Sequence, residues 1–428
     1  MKKFLIRAGI NPHDYRKPQD LIERDFIGTN SGNLLYAHSI FRNLTTENSQ
    51  LVADNYSLDI NKVKFINENY DGYILALADA FRPSFIWQLK QMTKIIEKLT
   101  IPVYLIGVGL RAPYNVVKED LYFDFDEDVK AFVKAILKKS NIIGVRGNIT
   151  AQYLNNLGFK QEIDHTVIGC PSMYTFGHNL KITDNRYMDF QSLITTNLSK
   201  KASKKVRNFI ERIHLKYPNT TFVPQGYDEF KLLYTGVQIF NEKNYPCKLD
   251  DTEYKNGKAK FYINAKTWIE DFCKNDLAVG TKLHGNIAAT ISGVPSISIP
   301  LDARMKELVQ FHNLTHILPE DIEKYSSIND LLKNVDIHSA EIAQTDNYNH
   351  FLKFLDKNNL PYFCQNENNS SRTPYDKLTS NIELYPPITA FNSNDVDSNE
   401  RIKNIVLGNE KRAKNMHALI AKQRKKLQ

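Results

Sequence analysis

The stretch "GTKLHGN", residues 280–286, places a cation, an imidazole and two glycines where an apolar run gives way to a small-residue helical pattern. On extended chain, Lys282 and His284 are two apart and point to one side, with Leu283 on the other. Gly285 and Asn286 then open a helix whose free N–H groups and positive dipole end favour an anion. A cation, a group that titrates near neutral pH and a helix N-terminus thus converge. Together they would hold an anionic substrate and give it a proton. A solvated lysine beside a packed histidine is the plainer alternative, and only the combination argues against it.

Three more stretches carry groups of the same kind. In "SNIIGVRGNITAQYLNNLG", Arg146 ends an apolar strand and Asn148 stands where it would cap the helix that follows. An arginine at such an elbow binds a carboxylate or phosphate with two prongs. In "GTNSGNLLYAHSIFRNL", Gly28, Asn30, Ser31 and Gly32 form a loop before an amphipathic helix, with Asn33 facing the same space. In "PLDARMKEL", Asp302, Arg304 and Lys306 put charges at alternate positions after another strand, and Arg111 in "GVGLRAP" is similarly placed. GxSxG, HExxH, Walker A and DxD motifs are missing from the sequence. Groups suited to anions outnumber metal ligands, so neither a catalytic metal nor a bound cofactor is expected.

These residues need a scaffold that brings strand ends together. Apolar runs near residues 4–10, 72–78, 102–109, 141–147 and 166–171 alternate with helical patterns such as 84–99 and 126–140. That alternation predicts a parallel sheet covered by helices on both faces. It restarts near residue 180, with strands at 190–198, 220–226, 277–280 and 295–299. The expected fold class is α/β: one Rossmann-like domain over 1–180 and a second over 181–360, facing a cleft. A helix near 339–355 closes the second domain or crosses back onto the first. Residues 361–399 are rich in Asn, Ser and Pro and read as an irregular linker. Residues 400–428 read as a basic amphipathic helix interrupted at Gly408–Asn409. Open α/β sheets bind ligands beyond the carboxyl ends of their strands, where the candidates above lie.

The net charge of +8 is concentrated in that tail, where nine Lys or Arg face two acids. The body is therefore close to neutral, which gives no support to a nucleic-acid face. Four scattered cysteines without a CxxC pair read as reduced thiols of a cytoplasmic protein. No apolar run is long enough to span a bilayer. The tail helix would either rest on an anionic membrane surface at its inner face or stay in solvent or an oligomer contact.

"GTKLHGNIAATISGVPSISIPLDARMKEL" resembles the C-terminal signature of the polysaccharide pyruvyl transferase family. "IIGVRGNITAQYLNNLG" with "GCPSM", and "NSGNLLYAHSI", resemble its two earlier blocks in the same order, so the resemblance covers about residues 28–315. Three positions depart from it: Lys282 stands for an arginine, and Asn148 and Cys170 stand for aspartates. The resemblance implies a GT-B-like pair of Rossmann-type domains. It also implies transfer of pyruvate from phosphoenolpyruvate to a sugar of a capsule, lipopolysaccharide or exopolysaccharide precursor, as a ketal. The acceptor would be a glycan, lipid-linked or free. In that chemistry His284 is the expected acid. Lys282, Arg146, Arg304 and the N–H groups at Gly285 and Asn286 hold the donor, and Gly32, Asn33 and Arg111 line the cleft. A GT-B glycosyltransferase using a nucleotide sugar, and an inactive scaffold of the same fold, are the other two readings.

Overall fold

The structure, a computed structural model, describes residues 1–364, 373–392 and 398–427. Strand β1 (Lys2–Ile6) begins with two lysines and then buries Phe4, Leu5 and Ile6 in succession. Consecutive burial means that both faces of the strand are covered, as in a parallel sheet between helical layers. With β2 (Ser49–Ala53), β3 (Gly72–Ala76) and β4 (Val103–Ile106) it forms a parallel sheet of order β2-β1-β3-β4. β5 (Ile143–Val145) and β6 (His165–Val167) pair with each other, and the Gly107 N–H donates to the Gly144 carbonyl (2.9 Å) to join them to the β4 edge. Helices Ile86–Lys98 and Asp126–Leu137 cover this sheet through residues at spacings of three and four, such as Leu89, Met92 and Ile96.

The second half repeats the plan with β7 (Ile194–Asn197), β8 (Thr221–Phe222), β9 (Lys260–Phe261), β10 (Leu277–Gly280) and β11 (Ser296–Ser298). Its parallel sheet has the order β11-β10-β7-β8. β12 (Ile388–Thr389) pairs antiparallel with β9. The carboxyl ends of both sheets open on one cleft, the GT-B-like arrangement. The halves are stitched at its base: the Ser31 N–H donates to the Gln225 carbonyl (2.8 Å) and the Tyr227 N–H to that of Thr29 (3.1 Å).

Helix Ser339–Lys357 crosses back onto the first half. Phe351 stacks on Tyr174 at 4.9 Å, and the Asn358 amide donates to the Ile142 carbonyl (3.0 Å). The stretch expected to be irregular contains order. Thr373 caps helix Pro374–Thr379, and Arg42 grips Asp376 with two prongs, Nε to Oδ1 at 2.9 Å and Nη2 to Oδ2 at 2.6 Å. This pair ties the segment to helix Gly32–Leu44.

The tail also differs from expectation. Helix Ser398–Leu427 runs unbroken through Gly408. Gly408 is buried against helix Pro18–Glu23, where an added Cβ would come within 3.1 Å of Ile22. Lys411 pairs with Glu23 (2.6 Å), and Arg412 donates to the Tyr227 hydroxyl (2.9 Å). The glycine is therefore a point of close helix approach rather than a break. No helix among the described residues is long and apolar enough to cross a membrane. Gly408→Leu is expected to lift the tail off the body at a cost of ~1–3 kcal/mol. Limited trypsin digestion should then remove the tail faster while the body's melting temperature changes little. Unchanged cleavage would contradict this packing.

Candidate active site

The cleft has a volume of about 790 Å³ and draws its walls from both halves. Its centre is Asp79, just past β3. Asp79 pairs with Arg82 and Arg111 of the first half and with Arg304 of the second, Arg304 at 3.4 Å. Burial alone would raise this carboxyl, but Arg304, Arg82 and Arg111 outweigh it and hold the pKa at about 2. Arg304 also leans on Asp302 (3.6 Å), which caps helix Ala303–Phe311 by accepting from the Met305 N–H. Three guanidiniums thus share one largely buried carboxylate, and all three arginines line the cleft.

His284 lies beside this group, but not on extended chain as its spacing from Lys282 implied. The helix runs over Leu283–Ile291, starting two residues earlier than expected, because Asn197 Oδ1 accepts the Lys282 N–H (2.6 Å) and sets the turn. His284 is therefore in the first helical turn. Its ring packs against Gly32, where any Cβ would lie 2.3 Å from Nδ1, and meets the Tyr36 ring edge-on. Its Nε2 is 3.8 Å from the Cys170 sulfur. Desolvation lowers the imidazole pKa well below its ordinary value, and Arg146 and Arg304 lower it further. His284 is neutral at pH 7 in the unliganded protein, which corrects the expectation of a group titrating near neutrality.

Arg146 sits behind the wall rather than on it. It is fully buried, donates Nε to the Gly107 carbonyl (2.9 Å) and lies 5.2 Å over the Tyr36 ring. Its terminal nitrogens have no partner of hydrogen-bonding geometry. Arg146 acts on His284 through its charge. Asn148 does not cap the helix it opens. Instead Glu307, from helix Ala303–Phe311, accepts from the Thr150 N–H and hydroxyl (2.9 Å each).

Lys282 turns away from the arginines, 3.8 Å from buried Glu229, which also accepts from the Gln225 and Gly226 N–H groups. The Asn286 side chain is used internally, donating to the Gly280 carbonyl (2.9 Å) and accepting from Asn197 (2.8 Å). Gly285 packs against Asn197 and Gln225. Neither Gly285 nor Asn286 reaches the arginine group. Asn33 lines the cleft and donates to the Ile27 and Gly28 carbonyls, holding the Gly28 loop. Lys306 bonds instead to the Tyr114 carbonyl (3.4 Å). Sequence reasoning missed Asp79, Arg82 and Arg7, which all follow strand ends; the signal was the Asp-x-x-Arg spacing in "LADAFRP". Among the described residues there is no group of three or more His, Cys, Asp or Glu suited to hold a metal.

Two Rossmann-like halves around a cleft lined by clustered guanidiniums define an α/β protein of GT-B-like architecture. The family model for polysaccharide pyruvyl transferase matches residues 30–302, and the chain belongs to that family of transferases. No curated protein matches it in sequence. Among solved structures it is similar to Methanocaldococcus jannaschii UDP-GlcNAc 2-epimerase in complex with UDP-GlcNAc and UDP. That likeness has 16% identity and a TM-score of 0.48, over 83% of this chain and 99% of that one. Neisseria meningitidis UDP-GlcNAc 2-epimerase bound to UDP-GlcNAc is similar at 14% identity and a TM-score of 0.43, over 84% of this chain and 100% of that one.

Burial raises the Glu307 pKa to about 7, against the Thr150 hydrogen bonds and the charge of Arg146. A raised carboxyl stabilises the fold below its unfolded pKa, and that contribution is lost as pH rises through the folded value. Between pH 4.5 and 8 the native chain should lose up to ~3 kcal/mol relative to Glu307→Gln. Parallel pH–stability profiles from denaturant titrations would contradict this.

Proposed function

We propose that the protein transfers pyruvate from phosphoenolpyruvate to a sugar of a surface-glycan precursor (capsule, lipopolysaccharide or exopolysaccharide), forming a cyclic ketal and releasing phosphate. The observation that carries this reading is the convergence of Arg82, Arg111 and Arg304 beside His284. Phosphoenolpyruvate brings a carboxylate and a phosphate, and planar guanidiniums match both. Arg146 adds positive potential from behind the wall.

His284 would act as the acid. Desolvation and the nearby arginines keep it neutral while the cleft is empty. A bound donor brings negative charge against those same arginines, which favours the imidazolium. The proton then goes to the methylene carbon, making a methyl group and an oxocarbenium-like centre at C2. One sugar hydroxyl adds to C2, the phosphate leaves, and the second hydroxyl closes the ring. Of the two hydroxyl protons, one replaces the proton spent by His284 and the other leaves with phosphate. The arginines stabilise the departing phosphate.

The tail would hold the protein at the inner face of the membrane. Ile402, Val406, Met416 and Ile420 are exposed on helix Ser398–Leu427 among its lysines and arginines. Deleting residues 399–428 should shift the protein from the membrane to the soluble fraction; unchanged partitioning would remove this role.

Phosphate release from phosphoenolpyruvate with a panel of glycan acceptors tests the main reading. His284→Ala should lower kcat by ~100-fold or more while donor affinity survives. Asp79→Asn should raise the donor KM by ~10-fold with a smaller effect on kcat, because the guanidiniums lose their anchor. Activity of His284→Ala within a few-fold of the native chain would exclude the imidazole as the acid.

A further inference from the structure

A second cavity, of about 230 Å³, lies inside the first half. Among the described residues it shares no lining residue with the cleft. Its floor is the face of β1 and β3 that carries Leu5 and Leu75. Its walls are Met92 and Ile96 of helix Ile86–Lys98 and Ile66 of helix Val63–Asn69. That shorter helix covers it thinly. Ile66 is its one fully buried residue, and Phe65, which also lines the cavity, stays 56% exposed. A dry apolar cavity of about 150 Å³ takes up benzene, so this one has room for a ring with a short arm.

The rim of the cavity is polar. Lys62, Asn55 and Ser57 line it, and none of their side chains makes an ion pair or hydrogen bond among the described residues. The two acids of the lining are engaged. Asp59 accepts from the Asn61 N–H (3.0 Å) and from its side chain (2.6 Å). Asp54 is buried and accepts from the Ala8 N–H (3.1 Å), the Tyr56 N–H (2.8 Å), the Tyr73 hydroxyl (2.6 Å) and Arg7 (3.4 Å). An apolar floor below three unused donors, one of them a cation, matches an apolar body that ends in a single carboxylate.

The same stretch of chain faces the cleft. Asp54, Asn55 and Ser57 line the cavity, whereas Tyr56 and Asp54's partner Arg7 line the cleft. Residues 54–57 are therefore a strap between the two spaces. Asn55 and Tyr56 have φ of 58° and 55°, a left-handed backbone that residues other than glycine keep only where their surroundings hold it. The Tyr56 ring lies against Gly28 of the cleft loop, where an added Cβ would come within 2.9 Å. A group seated in the cavity thus bears on a strained strap that supports that loop.

We propose that this cavity is an effector site for a small monocarboxylate with a single-ring apolar body, and that its occupancy stiffens the Gly28 loop through the strap at 54–57. The ring rests on Leu5, Leu75 and Met92, and the carboxylate meets Lys62, Asn55 and Ser57. The site is separate from the arginine group, and neither its ligand nor its effect depends on the donor being phosphoenolpyruvate.

Isothermal titration of the full chain at low salt with 3-phenylpropanoate, 3-phenylpropan-1-ol and 3-phenylpropan-1-amine tests the site. The acid should bind ~10-fold more tightly than the alcohol, and the amine more weakly than either. Lys62→Ala should remove most of the acid's advantage and leave the alcohol's affinity unchanged. Val52→Trp, which fills the cavity from the edge strand, should block both. Lys62 is exposed and unpaired, so its variant reads the site even where Val52→Trp disturbs the strand. Hydrogen exchange with saturating acid should slow by ~3-fold or more at residues 54–58 and also at residues 26–30. Three results overturn the site: no binding by any probe, preference for the amine, or acid binding that Arg304→Ala abolishes and Lys62→Ala spares. Protection confined to residues 54–58 overturns the link to the cleft.

Discussion

Three arginines in one cleft repel each other, and the low dielectric of a buried site strengthens that repulsion. Asp79 makes the cluster tolerable. It is held ionised, its pKa near 2, by the groups it gathers. Arg82 and Arg111 come from the first half and Arg304 from the second, so the same carboxylate that gathers the charges also bridges the halves. The contact that joins the two halves is the same one that gathers the arginines. The backbone ties between the Gly28 loop and Gln225–Tyr227 set the spacing at which this can happen.

The histidine is tuned by the same charges. His284 is wedged between Gly32, Tyr36 and Cys170, which leaves little room for another rotamer. Cys170 lies against the ring, and Asp79, which favours its charged form, is outweighed by burial, Arg146 and Arg304. The other departures are absorbed differently. At the helix opened by Asn148, the Glu307 side chain meets the first turn by accepting from the Thr150 N–H and hydroxyl. Lys282 has left the arginine group for Glu229.

The alternation of strands and helices was legible because each apolar run is buried on both faces and each helix carries its own periodic stripe. The pairing of two sheets about a cleft followed from the restart of the pattern near residue 180, and its GT-B-like character from the resemblance to the family. The details that failed depend on residues far away in the chain. Nothing near Leu283 announces that Asn197 will start its helix early, and nothing near Asn148 announces Glu307. Gly408 reads as a break until Ile22 is seen against it. Of the expected donor ligands, Arg304 belongs to the arginine group, Arg146 acts from behind, and Asn286 serves packing; Arg111, expected only to line the cleft, joins the group as well. Asp79 was passed over because its Asp-x-x-Arg spacing points to Arg82 alone and carries no local mark of Arg111 and Arg304.

The central claim is that one anionic donor binds the arginines around Asp79 and thereby charges His284. Calorimetric titration of phosphoenolpyruvate at pH 7, in buffers of different ionisation enthalpy, tests it most directly. The account predicts saturable binding with net proton uptake, and loss of that uptake in His284→Ala with binding retained. Binding without proton uptake, or uptake that persists in His284→Ala, would contradict it.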